Sequence, residues 1–267
     1  MVISSTANST VKQIRALRHR RDREQTALFF VEGIRIVGEA VAMEAPVQRC
    51  VVAPDLLDSD FAGRLVVDLQ ARGVPCLEVT GGVFRSISVK ENPQGIGAVV
   101  RQRWERLEDI LPGAELCWIA LDGVQDPGNL GSIVRTADAV GAAGLILVGA
   151  TTDPHDPAAV RGSMGAIFSQ KLVRAGVQQL ATWKKAGEWR VVGTSDSAAH
   201  DYRGAAYDPP LVLFMGSERQ GLSAEELALC DEVVRIPMVG HSDSLNLAVA
   251  TGVVLYEAFN RRRGEVP

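Results

Sequence analysis

The stretch that decides the fold is LCWIALDGVQDPGNLGSIVR, residues 116–135. It begins with an unbroken apolar run, residues 116–121, which is typical of a strand buried on both faces of a parallel sheet. Turn residues follow at 126–128, and residues 129–140 have helical spacing. Ligands of open α/β sheets bind at the carboxyl ends of strands. The stretch therefore predicts a strand, a turn and a helix with a candidate ligand site between them.

The same pattern recurs twice in the last third of the chain. GSERQG (216–221) follows an apolar run at 211–215, and IPM (236–238) with SLN (244–246) follows one at 233–236. We therefore predict an α/β domain with a mostly parallel sheet over residues 115–267. Its other predicted elements are strands at 144–148 and 189–192 and helices at 156–168, 177–186, 223–229 and 245–259.

The N-terminal part predicts a second, smaller α/β domain over residues 1–101. Residues 102–114 are charged and lose strand character, so we predict a linker there. The predicted elements of the small domain are strands at 27–31, 47–52, 74–79 and 95–100 and helices at 34–41 and 61–70.

Composition indicates an ordinary globular protein. The chain has 267 residues, 46% of them hydrophobic and 22% charged. It shows no membrane-length apolar run and no signal-peptide pattern. Its four cysteines lie far apart, which favours free thiols in a reducing cytoplasm, and scattered histidines argue against a metal site. The glycine fingerprint of dinucleotide-binding oxidoreductases is missing, which argues against that class.

One segment near the N-terminus is strongly basic, although the net charge of the chain is -4. Val11, Ile14 and Leu17 recur at helical spacing, so basic residues would occupy the wet face of an N-terminal helix. Such a stripe fits RNA phosphate contacts, and it equally fits a solvated helix face. The basic residues concerned are Lys12, Arg15, Arg18, Arg20, Arg21 and Arg23.

Three polar residues at the strand ends are candidates for chemistry. Asn129 could cap the helix that follows it. Arg135 sits among apolar and small residues, where an arginine usually meets an anion or a carboxylate. Glu218, at another strand end, is the candidate partner of Arg135.

The remaining motif residues permit two interpretations each. Gly216 would let a ligand approach the backbone, or it belongs to a plain turn. Ser244 or Asp243 could cap the last helix, whose free N–H groups could instead hold a polar ligand group. His241 is a base or, as we favour, a loop histidine.

Together the three motifs resemble those of the SpoU (TrmH-like) family of RNA 2′-O-ribose methyltransferases, in the SPOUT superfamily. The pattern N-x-G-[ST]-I-x-R is met at 129–135, G-[SN]-E-x-x-G at 216–221, and I-P-M-x-G with S-L-N at 236–246. The N-terminal part more loosely resembles the ribosomal-protein-like substrate-binding domain of many members, through Glu32-Gly33 and residues 94–98.

The resemblance implies a trefoil knot at the C-terminus, S-adenosylmethionine as cofactor, no metal, and a homodimer in which Arg135 acts at or near the interface. It implies cofactor contacts by Gly216, Ile236 and Leu245, with Thr194 a weaker candidate. The implied catalytic residues are Asn129, Arg135, Glu218, Ser244 and Asn246.

The family is commonly assigned an arginine, here Arg135, as the group that activates the ribose 2′-hydroxyl. An arginine is an awkward general base because its pKa exceeds 12. We therefore expect Arg135 to hold a phosphate and to stabilise the developing alkoxide, with Glu218 orienting it.

Ribosomal RNA is the favoured substrate because of the extra N-terminal domain, and a site of the antibiotic-resistance type is one variant of this hypothesis. Transfer RNA is the alternative substrate. A non-catalytic RNA-binding assembly factor is the alternative from another class, although such a protein would not need Asn129, Arg135, Glu218 and Asn246.

Overall fold

The computed structural model of the protein describes residues 2–242 and 244–264. These residues contain eleven strands: β1 (Leu28–Glu32), β2 (Val47–Val52), β3 (Cys76–Glu78), β4 (Ile96–Arg101), β5 (Trp118–Asp122), β6 (Gly144–Val148), β7 (Lys171–Ala175), β8 (Arg190–Thr194), β9 (His200–Asp201), β10 (Leu211–Met215) and β11 (Glu232–Arg235). The helices are α1 (Ser9–Ala16), α2 (Arg20–Thr26), α3 (Ile34–Ala42), α4 (Asp60–Ala71), α5 (Gly81–Ile87), α6 (Pro127–Ala139), α7 (Pro157–Ser163), α8 (Val177–Gly187), α9 (Ala224–Leu227) and α10 (Leu247–Arg263).

The chain forms two compact units. Unit 1 comprises the residues up to Gln102 together with Asp153–Ser169, and unit 2 comprises Arg103–Thr152 and the residues from Gln170 onward. In the part of the chain described, no helix combines the length and the apolar character needed to cross a bilayer.

Unit 1 is built on a four-stranded sheet in the order β1-β4-β2-β3, in which only β2 and β3 pair in parallel. Alternate residues of β2 enter different cores, because successive side chains of a strand point to opposite faces. Cys50 and Val52 pack with α3 and α4, whereas Val51 packs with α1 and α5. Helices therefore cover both faces of this sheet.

The segment 153–169 packs in unit 1, although the sequence predicted it as a helix of the second domain. Its helix is shorter than predicted, ending at Ser163, and a 3-10 turn follows at Ala166–Phe168. Val160 is buried in the same core as Phe29, and the ring of Phe168 stacks 6.3 Å from that of Phe29. Periodicity predicts that a helix has a buried face, but not which sheet will bury it.

Unit 2 is built on a seven-stranded sheet in the order β7-β6-β5-β10-β8-β11-β9, in which every neighbouring pair is parallel. The sequence prediction of an α/β fold with a mostly parallel sheet is confirmed. Trp118 and Phe214 face the core formed with α8, while α6 and α10 pack against each other and against β6 and β10.

Residues 103–112, within the predicted linker, pack along the outer strand of unit 2. Glu105 forms a parallel bridge with Val173 of β7. The guanidinium of Arg174 lies 3.9 Å from the ring centroid of Trp104, and the indole N–H of Trp183 donates to the Ile110 carbonyl at 3.1 Å. These contacts cover a strand edge that would otherwise present unpaired backbone groups.

Candidate active site

The motif segments meet at one edge of the unit 2 sheet. Strands β5, β10, β8 and β11 are consecutive parallel neighbours, so their carboxyl ends lie side by side. The first motif follows β5, the second follows β10 and the third follows β11. The topology therefore places the three motifs where ligands of α/β sheets bind.

Asp126, not Asn129, caps helix α6. Its Oδ1 accepts the backbone N–H of Asn129 at 2.7 Å, and Pro127 occupies the first helical position, where a missing N–H costs nothing. The predicted capping role of Asn129 is wrong. Because Asp126 satisfies the helix end, the Asn129 side chain can make contacts with distant parts of the chain.

A chain of side-chain hydrogen bonds joins the three motifs. The Nδ2 of Asn246 donates to the Oδ1 of Asn129 at 2.9 Å, and the Nδ2 of Asn129 donates to the Oε1 of Glu218. Asn246 is also the cap of α10, since its Oδ1 accepts the N–H groups of Ala248 at 3.0 Å and Val249 at 3.3 Å. One residue from each motif is thus tied to the next.

The available donors and acceptors fix the orientation of both asparagine amides in this chain of hydrogen bonds. The Asn246 oxygen must face the backbone N–H groups of α10, which leaves its NH2 group to face Asn129. Asn129 must then present its oxygen to Asn246 and its NH2 group to Glu218, because an ionised carboxylate only accepts hydrogen bonds. Asn129 retains one N–H donor that has no partner among the described residues, in a single, defined orientation.

The turn that carries Glu218 is held by its own backbone. Ser217 and Gly221 exchange two backbone hydrogen bonds, at 3.0 and 3.1 Å. A Cβ atom at Gly216 would lie 2.2 Å from the carbonyl carbon of Gly221, so no side chain fits there. Gly216 is therefore required by the approach of the chain itself, which agrees with the plain turn that the sequence permitted beside the approach of a ligand.

Arg135 is exposed on α6 and forms no hydrogen bond or ion pair within residues 2–242 and 244–264. The sequence prediction that Glu218 is its partner is not met, because Glu218 bonds to Asn129 instead. An exposed guanidinium without a partner carboxylate is available to an anion.

The predicted cofactor contacts lie at adjoining strand ends. Thr194 ends β8, Gly216 follows β10 and Ile236 follows β11. The Thr194 hydroxyl donates to the Met215 sulfur at 3.7 Å. Leu245 lies just before the cap of α10 and is 40% exposed.

The other candidates of the third motif make no contacts that assign them a role. Ser244 and His241 are exposed and form no hydrogen bond within the described residues. The cap of α10 is Asn246, so Ser244 does not cap that helix, and Asp243 lies outside the described residues. Within the same residues, no group of three or more His, Cys, Asp or Glu side chains is arranged to hold a metal ion.

Two acidic residues at this edge were missed from the sequence. Burial raises the pKa of Asp122, at the end of β5, to about 6, and the negative charge of Glu226 adds to the shift. Glu226 is buried and accepts the N–H of Ser223 at 2.7 Å in a capping box. The S-x-x-E pattern at 223–226 could have indicated Glu226, but no local pattern marks Asp122.

Arg23 cannot contact RNA, contrary to the sequence prediction. It is buried and donates to Asp153 at 2.7 Å, to Asp156 at 3.3 Å and to the Leu17 carbonyl at 3.0 Å, all within unit 1. Burial opposes the ionisation of Asp153, but hydrogen bonds from His155 and Arg23 outweigh it and lower the pKa of Asp153.

The predicted N-terminal helix is in fact two helices, and its basic residues divide accordingly. Arg18, between α1 and α2, is half-buried and donates to the carbonyls of Ser86 and Ser88 at 3.0 and 2.6 Å, so it too is occupied. The basic residues that still reach solvent are Lys12, Arg15, Arg20 and Arg21.

Comparison with known proteins assigns the chain to a family. The family model described as SpoU rRNA Methylase matches residues 117–256, and the MRM3-like substrate binding domain matches residues 8–98. The AdoMet-bound rRNA methyltransferase of Sinorhizobium meliloti is 39% identical, with a TM-score of 0.90 over 100% of this chain and 99% of that chain. The AdoMet complex of AviRb from Streptomyces viridochromogenes is 32% identical, with a TM-score of 0.87 over 97% and 100% of the two chains.

A curated relative matches over nearly the whole length as well. The 23S rRNA (guanosine(2553)-2′-O)-methyltransferase RlmP of Bacillus subtilis is 30% identical over 95% of this chain and 97% of its own. Because one family model spans more than half of the chain and a relative matches nearly its whole length, the chain belongs to the SpoU rRNA methylase family.

Proposed function

We propose that the protein transfers the methyl group of S-adenosylmethionine to a ribose 2′-hydroxyl of RNA, with ribosomal RNA as the substrate. The observation that carries this proposal is the hydrogen-bond chain Asn246–Asn129–Glu218 at the strand ends. The same domain presents Arg135, which has no partner in the described part of the chain. The named activity of RlmP and the AdoMet complexes of two structural relatives support it.

The strand ends fit the cofactor. A nucleoside with a charged amino-acid tail needs backbone donors and acceptors together with apolar cover. Gly216 and Ile236 offer backbone groups at the ends of β10 and β11, on either side of β8, and the exposed side chains of Met238 and Leu245 offer apolar surface. When bound, the cofactor supplies an electrophilic methyl sulfonium.

The residues of the chain then act on the RNA. In the reaction the ribose 2′-oxygen would form a bond to the methyl carbon as the sulfur–methyl bond broke, and the hydroxyl proton would pass to solvent water. The free N–H of Asn129 donates to a ribose oxygen, and Glu218 holds that amide in place. Arg135, which stays protonated, binds the adjacent phosphate and stabilises negative charge developing on the 2′-oxygen. Ser244, two residues before Asn246, remains a candidate for substrate contact.

We propose a homodimer that uses α10. This helix exposes Val249 (52% accessible) and Tyr256 (45%), seven residues apart and therefore on the same face. Exposed apolar side chains in a row on one helix fit a partner helix. Val249→Glu with Tyr256→Glu should halve the mass measured by light scattering, whereas an unchanged mass would exclude this interface.

We also propose the trefoil knot that the family resemblance implies. β11 lies beyond β8 in the sheet, yet α10, which follows it, packs on α6 and β10. The described residues between β11 and α10 must therefore lead back over the strand ends, towards the loop at 216–221 that Asn246 reaches through Asn129. An experimental structure in which this crossing passes outside that loop would contradict the knot.

The preference for ribosomal RNA rests on unit 1, whose residues 8–98 match a substrate-binding domain. Lys12, Arg15, Arg20 and Arg21 are its candidate phosphate contacts. Transfer RNA is the alternative substrate.

Labelled S-adenosylmethionine incubated separately with unmodified ribosomal and transfer RNA tests the proposal. We expect label in ribosomal RNA, and none with Arg135→Ala, which should still be stabilised by the cofactor against thermal unfolding. Label in transfer RNA alone would reverse the substrate assignment. Thermal stabilisation by the cofactor with no label in either RNA would instead favour a non-catalytic RNA-binding factor.

A further inference from the structure

An exposed aromatic ring lies beside a groove on unit 1. The ring belongs to a later part of the sequence than the basic residues of α1 and α2. Phe61, in the first turn of α4, is 48% exposed. The groove has a volume of about 520 Å³. Its lining comprises Ile34, Arg35, Gly38, Glu39, Ala42, Phe61 and Gln94.

We infer that this groove binds an unpaired nucleobase of the RNA, stacked on the ring of Phe61. The inference rests on the proposed function, since it assumes that unit 1 holds the RNA substrate. Single-stranded RNA is recognised by stacking splayed bases on aromatic side chains and arginine planes.

The surroundings of the ring suit a flat, anionic ligand better than an apolar one. The guanidinium of Arg64 lies 5.9 Å from the Phe61 ring centroid, and Arg35 is exposed on the neighbouring helix α3. Arg35 and Arg64 outnumber the one carboxylate of the groove, Glu39, so the local charge still favours a phosphate chain over a basic partner.

Space beside the ring is provided by Gly38. A Cβ atom built on Gly38 would lie 3.5 Å from Cε1 of Phe61, in ordinary van der Waals contact. Any larger side chain at this position would therefore cover the ring edge and fill the groove, so glycine here keeps the groove open.

The groove also offers polar groups for a base edge. The Gln94 Oε1 already accepts the backbone N–H of Ile34 at 3.1 Å, so the Gln94 amide turns its NH2 group outward as a donor. Glu39, half-buried in the same lining, supplies an acceptor for a base amino group.

The test measures the affinity of the full-length protein for its unmodified ribosomal RNA by filter binding, at fixed salt. Phe61→Ala should weaken binding about tenfold, within the range of one base–aromatic stack. Phe61→Trp should retain affinity and Phe61→Leu should not, since leucine is apolar but has no π face. Val67→Ala is the matched control, because Val67 is 65% exposed on the same helix.

A second variant leaves the ring in place. Gly38→Leu should weaken binding as Phe61→Ala does, with an unchanged melting temperature for the cofactor complex. The inference is overturned if Phe61→Ala binds as tightly as Val67→Ala, or if Phe61→Leu binds like the wild type. These results concern RNA affinity, whereas a wild-type protein that binds RNA but transfers no methyl group would overturn the proposed function alone.

Discussion

Asn246 donates a hydrogen bond to Asn129 at 2.9 Å across 117 residues of sequence. The same Asn246 side chain caps α10, so the end of this helix and the orientation of Asn129 depend on one residue. The acceptor on the other side of Asn129 is Glu218. A helix cap thus sets the direction in which the free N–H of Asn129 points.

Asn246→Asp separates these two roles. Aspartate caps helices as well as asparagine does, so the free energy of unfolding should change by less than about 0.5 kcal/mol. The second carboxylate oxygen of the aspartate cannot donate to Asn129, however, so the Asn129 amide loses its fixed orientation. We expect a fall in kcat of about a hundredfold, as for the loss of one preorganised donor. If the free energy of unfolding falls by as many kcal/mol as the activation free energy of methyl transfer rises, Asn246 is only a structural cap.

Arg135→Lys tests the geometry of the anion contact. Lysine keeps the charge but not the planar pair of donors. Because Arg135 is exposed and unpaired in the described part of the chain, the melting temperature should not change. The methyl-transfer rate should fall at least about tenfold, as for a lost bidentate contact. Near-normal turnover would make a planar, bidentate role for Arg135 untenable.

Arg23→Met should destabilise unit 1 rather than weaken RNA binding directly. The substitution leaves the buried carboxylate of Asp153 without its closest cation, a loss that costs about 3–5 kcal/mol in comparable buried pairs. Arg21→Met is the matched control, because Arg21 is exposed and should cost no more than about 0.5 kcal/mol. Urea unfolding measures both, and a small effect of Arg23→Met would contradict the buried ion pair.

Asp122 should make stability fall as pH rises. Its pKa is about 6 in the folded protein and about 4 when unfolded, so between these values only the folded state holds the proton. The free energy of unfolding should therefore decrease from pH 4 to 6 through this group and level off above. Asp122→Asn should flatten that slope and add about 1 kcal/mol at pH 8, after allowance for partial exposure. A slope unchanged by the substitution would contradict the raised pKa.

Local patterns predicted the elements of the fold better than the roles of individual residues. Apolar runs predicted the parallel sheet of unit 2, because strands covered on both faces leave no polar positions. Asn129 and Asp126 are both good caps, and only the structure shows that Asp126 takes that position. The asparagine is thereby released for the contacts with Glu218 and Asn246.

The errors concern partners that are distant in sequence. Arg23 fits the polar face of a helix, and its burial depends on Asp153, 130 residues away. The sequence also predicts Glu218 as the partner of Arg135, because opposite charges at two strand ends suggest a contact, whereas Glu218 accepts its hydrogen bond from Asn129. No spacing rule within one segment contains this information.

The chemical position of the transferred methyl group tests the central claim most directly. Ribosomal RNA methylated by the protein with labelled S-adenosylmethionine is hydrolysed in alkali, which cleaves next to every free 2′-hydroxyl. We predict that the label is recovered in a single alkali-resistant dinucleotide, and that Asn246→Asp greatly reduces its yield. Label recovered in mononucleotides would mean that a base is methylated, and would contradict the ribose chemistry assigned to Asn129, Glu218 and Arg135.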